Sequence, residues 1–340
     1  MNKDFLKLAI KNLLLLLFIV AFVVCFSAIL GTENQLIGVA LITGLIMFYN
    51  IDLGLNKKQA PFIIIGMCLL MAIGNIVSFY NIYLAIIVNF AIIFIFMTLS
   101  TVHLEYKTYI PFALMYIFAD GMPIEENQIL KRFLSFFISG ILLAILYYIK
   151  HKKLENGKTI KEIYKNISIY KETTVFNIKM ALGVTIAMFL IAFFNIEKGF
   201  WISVTVMSLT QPHFHMTKEK IKHRFLGTIV GFICFLILFG GIIPEQYLGI
   251  LAGILSYIYT FVKSYYVQII FVTINALNSA SGLFNTSFES GIYRISFIVL
   301  GIAIVLLTVF IEKTLDKKVK IYPDDEDNKE DKEDVLTNSN

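Results

Sequence analysis

Long apolar runs recur along almost the whole chain, and a cluster of polar residues closes each run. A helix of about 20 apolar residues spans the hydrocarbon of a bilayer, so a series of such runs is typical of a helical membrane bundle. With 58% apolar and 16% charged residues and a mean hydropathy of +0.77, the composition lies outside the range of an ordinary soluble domain. The chain is therefore predicted to be an all-α polytopic membrane protein.

The apolar runs predict about twelve transmembrane helices. They lie near residues 8–30, 35–49, 61–79, 82–100, 109–120, 132–149, 176–194, 200–211, 225–243, 246–262, 264–281 and 291–311. Lysine-rich and acid-rich loops alternate along the chain, and the positive-inside rule then predicts that both termini are cytoplasmic. We read the first run as a retained helix, since further apolar runs follow it directly. Heavy use of lysine, isoleucine and asparagine favours the cytoplasmic membrane of a bacterium.

Four domains are expected along the chain. Residues 1–150 form a first six-helix repeat, 151–175 a basic cytoplasmic linker, 176–312 a second six-helix repeat, and 313–340 a charged, disordered cytoplasmic tail. Within the linker, apolar side chains recur at helical spacing, which fits either an amphipathic helix on the inner leaflet or a plain connection. They are Ile160, Ile163, Tyr164 and Ile167.

An offset of 161 residues relates the two halves. It places Gly66 on Gly227 and Gly140 on Gly301, in the third and sixth helices of each half. Each half has an even number of predicted crossings, so the repeats are expected to be parallel and related about the membrane normal. These glycines, with Gly231 in a GxxxG spacing, are candidates for close helix packing.

Short helices in corresponding places are the best sequence indication of a binding site in a repeated transporter. The second helix of the second half, near 200–211, is short and ends at Gln211. The helix near 264–281 carries several polar residues, including Asn275 and Asn278. These three side chains are candidates for substrate binding, and hydrogen bonding between helices is an equal alternative.

Cationic side chains near the helix ends are the second group of candidates. Lysine outnumbers arginine 26 to 3, yet Arg132, Arg224 and Arg294 all begin predicted helices. A guanidinium can hold a carboxylate through two hydrogen bonds, so these arginines could bind an anion. Lys179, near the start of the seventh helix, is a further candidate, although snorkelling to the membrane surface also explains it.

The segment 199–231 carries a specific motif. A tryptophan opens a short helix, a proline ends it, a basic loop follows, and Arg-x-x-Gly-Thr-x-x-Gly opens the next helix. The residues are Trp201, Pro212, Lys218 to Lys222, Arg224, Gly227, Thr228 and Gly231. This pattern resembles the fusaric acid resistance and aromatic acid exporter family, also described as the integral membrane bound transporter domain. The resemblance extends across 176–312, whereas the first half keeps only Gly66.

The resemblance implies a secondary exporter of aromatic or other organic acids, with Trp201 near the substrate ring. Similarity to plant aluminium-activated malate channels suggests a passive anion channel as the alternative. His213 and His215 lie beside the expected path and are candidates for proton coupling, because imidazole titrates near neutral pH. No complete phosphate-binding loop is present, since Lys152 stands where its first glycine belongs.

We therefore predict a secondary transporter, most simply a proton-coupled exporter of small organic acids. A passive channel and a non-transporting membrane scaffold are the alternatives. The expected partners are a small organic acid and the lipid bilayer, with no nucleic acid, and a homo-oligomer is left open. Neither a cofactor nor a metal is predicted, and no arrangement of acid, base or nucleophile points to an enzyme.

Overall fold

A computed structural model of the protein describes residues 3–153, 157–168, 170–239, 245–280 and 287–319, and this part of the chain is all-helical. The helices are α1 (Lys3–Leu30), α2 (Gln35–Asn50), α3 (Ala60–Tyr80), α4 (Ile82–Ser100), α5 (Ile110–Asp120), α6 (Ile129–His151), α7 (Ile160–Lys165), α8 (Glu172–Phe193), α9 (Phe200–Leu209), α10 (Phe214–Phe239), α11 (Glu245–Tyr259), α12 (Tyr265–Ala280) and α13 (Ser287–Val319). Apart from α7, their positions follow the apolar runs of the sequence, except that α10 begins at Phe214 and so includes Lys218 to Lys222, which were predicted as a loop.

Eight helices in the described ranges are long and apolar enough to cross a membrane: α1 to α4, α6, α8, α10 and α13. The remaining apolar helices are shorter, and α5 and α9 have only 11 and 10 residues. At 1.5 Å per residue, α5 and α9 are about 15–17 Å long, roughly half the thickness of the hydrocarbon. Multi-pass membrane insertion is therefore supported, but twelve full crossings are not.

Local sequence explains where α5 begins and where α9 ends. Pro111 lies in the first turn of α5, where its missing N–H costs no helical hydrogen bond. At the end of α9, Thr210 is extended, and Pro212 follows two residues later and cannot continue a helix. Both helices are almost entirely buried, and α9 packs against α8, α13 and α5. The ends of these helices, where backbone groups lack partners within the helix, therefore lie inside protein. Irregular backbone at membrane depth must be buried in this way.

The two halves share part of their packing. α1 packs on α2 as α8 packs on α9, and α6 packs on α2 as α13 packs on α9. They differ elsewhere, because α3 packs closely against α4, whereas α10 packs mainly against α12. The predicted two-repeat arrangement is therefore matched only in part. We call the side of the bundle that carries α7 the linker face and the opposite side the far face.

Four of the five candidate glycines lie at close helix contacts. An added Cβ at Gly140 would lie 3.0 Å from Cys68 on α3, and one at Gly301 would lie 2.7 Å from Thr205 on α9. Gly227 and Gly231 on α10 lie against α12, where a Cβ would come within 3.1 Å and 2.8 Å of backbone oxygens. Gly66 is different, since a Cβ there would meet nothing within 4 Å. The predicted packing role of Gly66 is therefore wrong.

Arg132 is a structural clamp, and this geometry gives its predicted role as a substrate ligand no support. It is fully buried at the start of α6, and each of its five N–H groups donates to a neutral oxygen of the protein. The acceptors are the side chains of Asn34 and Asn75 and the carbonyl groups of Glu33, Ala119 and Met122. No donor remains for a substrate carboxylate, because the protein uses all five to join α3, the end of α5 and the turn before α2.

The linker and the tail also differ from expectation. α7 has six residues, and it docks on the bundle through Ile163, which is buried, while Ile160 and Tyr164 are exposed. The Thr159 backbone N–H and hydroxyl pair with Glu162 in a capping box, which keeps the pKa of that carboxyl below its usual range. At the other end, α13 continues to Val319, so the first part of the predicted tail is helical. Residues 320–340 lie outside the described ranges.

We predict that Gly231→Ala destabilises the protein and that Gly66→Ala does not. The Cβ at position 231 would lie 2.8 Å from the backbone oxygen of Ile270, so α10 and α12 must separate. Such overpacking costs about 1–3 kcal/mol. Thermal unfolding of the two purified variants in detergent measures the difference, and equal melting temperatures would contradict the packing.

A second prediction concerns the clamp. Arg132→Ala leaves five buried acceptors unpaired, and because each unpaired group costs about 1–3 kcal/mol, the loss should exceed about 3 kcal/mol. The control is Lys131→Ala, since Lys131 is the exposed neighbour of Arg132 on the same helix. The clamp is refuted if both variants unfold at the same temperature.

Candidate functional site

Arg294, in the far-face part of α13, is buried against an aromatic pair. The carbon at the centre of its guanidinium lies 4.1 Å from the centroid of the Trp201 ring, and the Trp201 and Phe200 rings are 4.9 Å apart. Only 3% of Arg294 is exposed, and its Nε and one terminal nitrogen have no hydrogen-bond partner. The ring face compensates for part of the lost hydration, but it leaves N–H groups free for an acceptor.

Arg224 belongs to α10, and it contacts α9 one turn beyond Trp201. One of its terminal nitrogens donates to the hydroxyl of Thr205 over 3.3 Å, and Thr205 in turn donates to the Trp201 carbonyl. Arg224 is 4% exposed, and its Nε has no partner. Its charge also acts on Arg294, so the two buried guanidinium groups repel one another. Neither arginine forms an ion pair with any side chain that the structure describes.

Lys220 extends the row of cations towards the linker face. It lies one turn before Arg224 on α10, and its ammonium group donates to the Ser208 carbonyl over 3.4 Å. Lys107, in the turn before α5, is close enough to add its positive charge. Trp201, Thr205 and Ser208 are spaced by four and three residues, so they share one side of α9.

Three cations therefore follow one side of α9 over about 10 Å, from Arg294 through Arg224 to Lys220. Such a row attracts anions and repels cations, and its buried position strengthens both effects. The two arginines at its far-face end carry the unfilled donors. They form the part of the row that can bind an anionic group directly.

Lys179 does not belong to this row, and its contacts give its predicted role as a substrate ligand no support. Its ammonium group lies 2.9 Å from a carboxylate oxygen of Glu312 and 2.9 Å from the Pro212 carbonyl oxygen. It is buried, and both partners are groups of the protein itself. Lys179 thus joins α8 to α13 and to the chain that follows α9, and its charge is already paired.

The polar candidates lie near the site but make contacts within the protein. Gln211 is buried and donates to the carbonyl groups of Ser208 and Thr210, which closes the end of α9. Asn275 is half-buried on α12, and Asn278, one turn later, already has a partner. The structure therefore assigns Gln211 to the helix end, and it does not bring the two asparagines into contact with either buried arginine through a described hydrogen bond.

The histidines lie on the surface at the linker face. His213 and His215 are exposed, their rings are 5.6 Å apart, and His213 lies 3.1 Å from a carboxylate oxygen of Glu172. The cations of the buried row are not among their described contacts. Their predicted role in proton coupling stays a prediction, and the geometry gives it no support.

Two cavities approach α9 from opposite faces. A far-face cavity of about 340 Å³ lies between α3, α4, the end of α5 and α8, and it reaches Lys198 and Gly199 at the start of α9. A linker-face cavity of about 280 Å³ reaches Gln211 and Pro212 beyond its end, and Lys107 lines it. Between them, most side chains of α9 are buried. The row of cations follows this buried stretch of α9, and none of its three members lines either cavity.

Sequence reasoning missed two contributors to this site. Thr205 holds Arg224, and Lys220 continues the row of cations. A signal for both was present, because Thr205 follows Trp201 by four residues and Lys220 precedes Arg224 by four, and residues at that spacing share a helix face. The crossing of α9 by α10, which brings the two faces together, has no such signal.

Comparison with known proteins finds a family resemblance over the part of the chain that contains this site. A model of the family described as fusaric acid resistance protein-like matches residues 186–308. The chain is also similar to an uncharacterized protein, ORF2, of Neisseria gonorrhoeae, with 30% identity over 111 residues, which are 31% of this chain and 25% of that protein. An uncharacterized protein of Haemophilus influenzae is 29% identical over 56 residues, which are 16% of this chain and 8% of that protein.

The chain thus spans a quarter or less of the length of these two relatives. No solved structure matches it. The matched range of the family model runs from the middle of α8 to α13, and it includes α9, both buried arginines and the glycines of α10. The resemblance to the fusaric acid resistance protein-like family is therefore confirmed for residues 186–308.

Proposed function

We propose that the protein is a secondary transporter of small organic anions, in which Arg224 and Arg294 bind the carboxylate of the substrate. The observation that carries this proposal is the pair of buried guanidinium groups, whose free N–H groups have no counter-ion among the described side chains. The family resemblance supports a role in membrane transport or resistance.

Energetics explain why this pair is significant. An ion removed from water costs several kcal/mol unless other charges and hydrogen bonds compensate, and two like charges side by side add repulsion. A carboxylate between the guanidinium groups removes the repulsion and accepts the unfilled N–H groups, and it can take two from one arginine. The site is thus better matched to a bound anion than to its empty state.

Aromatic acids fit the surroundings of the pair. Phe200 and Trp201 form an aromatic surface beside Arg294, and Phe118 of α5 packs edge-on against Phe200 at 5.7 Å between ring centroids. A substrate ring lying against this surface places its carboxylate towards the arginines. Aromatic rings in such contacts contribute about 0.5–1.5 kcal/mol beyond their buried area. We therefore propose aromatic carboxylates as the first substrates to test.

Alternating access fits the two cavities better than a continuous pore. The far-face cavity ends at Gly199 and the linker-face cavity reaches Gln211, with the buried part of α9 between them. A transporter exposes such a site to one side at a time, whereas a channel conducts through one open path. Export towards the far face, coupled to protons, completes the proposal.

Replacement of either arginine tests the site. Because neither buried charge has an ion-pair partner among the described side chains, we expect Arg224→Met and Arg294→Met to leave the melting temperature unchanged or raised. Each variant loses charge-assisted hydrogen bonds of about 1.5–3 kcal/mol, so the half-saturation concentration should rise about 10- to 100-fold. Counterflow of a radiolabelled aromatic carboxylate in proteoliposomes, at equal pH on both sides, measures this concentration.

The matched control is Lys222→Met, which removes an exposed charge from the same helix two residues from Arg224. It should transport as the unmodified protein does. Unchanged saturation in both arginine variants would exclude this site, and saturable flux absent from the unmodified protein would exclude the function. Single-channel currents in planar bilayers, independent of counterflow, would favour the anion channel instead.

A further inference from the structure

Asp120 places a carboxylate in the wall of the far-face cavity. It is the last residue of α5 and contributes to the cavity together with Asn75, Asn89 and Lys198. The cavity of about 340 Å³ is large enough for several water molecules, so a proton can reach the carboxylate from the far face. The anion site of Arg224 and Arg294 does not use the Asp120 carboxylate.

Among the described side chains, none neutralises this carboxylate by direct contact. Within the described side chains Asp120 has no hydrogen bond and no ion pair, although the charge of Arg132 acts on it. Arg132 donates all five N–H groups to neutral oxygens, one of them the carbonyl of Ala119, directly before Asp120. The cation therefore lies near Asp120, but it is committed to the backbone.

The helix itself disfavours the charged form of Asp120. The carboxyl end of a helix carries a partial negative charge, and an aspartate there is destabilised, whereas a neutral carboxylic acid is not. An ionisable residue at membrane depth that faces a water-filled cavity is a common element of proton pathways. Asp120 combines the two conditions, because it ends α5 and lines the cavity.

The other charged or titratable groups around Asp120 are few. α6 contributes Arg132, the turn before α2 contributes Glu33 near that arginine, and the loop before α9 contributes Glu197, which is exposed, and Lys198, which has a partner of its own. On α5 itself, the Tyr116 hydroxyl donates to Asn89, so it is not directed at Asp120. The described parts of α3, α4 and α8 contribute only uncharged side chains to the cavity.

Asp120 lies next to the anion site through one helix contact. Gly121 follows it, and a Cβ at Gly121 would lie 2.2 Å from the Cβ of Phe200, so α5 and α9 touch without a gap. Phe118 packs edge-on against the same phenylalanine, and Phe200 neighbours Trp201, which covers Arg294. A shift of the end of α5 must therefore move the start of α9.

From this geometry we infer that Asp120 is the proton-carrying group of the transporter, an inference that rests on the proposed anion transport. The Asp120 carboxylate takes one proton from water in the far-face cavity and becomes a neutral carboxylic acid. The same proton leaves to the linker face when the site opens to that side, and the carboxylate is restored. One proton thus moves inward for each anion that moves outward, and no other reactant is needed.

Two measurements on Asp120→Asn separate coupling from binding. The first is counterflow of a radiolabelled aromatic carboxylate at equal pH, which needs no proton movement and should stay saturable. The second is efflux from proteoliposomes into a medium one pH unit more acidic, which can drive up to about a tenfold ratio per coupled proton. In Asp120→Asn we expect this ratio to fall to about one.

The control is Glu197→Gln, which neutralises an exposed carboxylate of the same cavity and should keep the full response to the pH gradient. Asp120→Glu keeps a titratable group and should retain part of the response, which covers the case in which Asp120→Asn does not fold. A full response to the pH gradient in Asp120→Asn overturns the inference. Saturable flux through the unmodified protein that does not change with the pH gradient overturns it as well. Absence of saturable flux from the unmodified protein overturns the transport function itself.

Discussion

The cost of burying a guanidinium group in hydrocarbon governs this structure. The protein meets this cost in two ways. Arg132 donates hydrogen bonds to five neutral oxygens from five positions in the chain. These bonds hold the far-face ends of α2, α3, α5 and α6 together. Arg294 lies against an aromatic ring face, and two of its nitrogens have no described hydrogen-bond acceptor. The first arrangement is stable as it stands, and we propose that an anion completes the second.

The repeat in the sequence explains why two related arginines differ. Arg132 and Arg294 lie within one residue of the 161-residue offset, but the side-chain acceptors of Arg132 are not reproduced around Arg294. The offset places Leu236 where the first half has Asn75, and it places Asn195 where the first half has Asn34. One acceptor is thus replaced by an apolar group, and the other keeps its residue type but has no described hydrogen bond to Arg294. We interpret the first half as support and the second as the binding half.

The sequence predicted the positions of most helices well, because these depend on local patterns. Apolar periodicity located the helices, and a short segment ending in Gln211-Pro212 predicted a short α9. The partners of buried charges could not be predicted, since they come from distant positions. Lys179 pairs with Glu312, 133 residues away, and three acceptors of Arg132 are backbone carbonyls, which any residue supplies. For the same reason, Arg132 could not be distinguished from Arg224 by its surroundings in the sequence.

The two half-length helices connect these parts. α5 and α9 lie side by side inside the bundle, and α5 ends at the far face where α9 begins, at the contact of Gly121 with Phe200. Neither helix spans the hydrocarbon, so both can shift without exposing new polar backbone to lipid. In the proposed mechanism, a proton at the end of α5 and an anion beside α9 each change a charge at one end of this contact. Because the contact has no free space, we expect the two occupancies to depend on one another, and a coupled transporter requires such dependence.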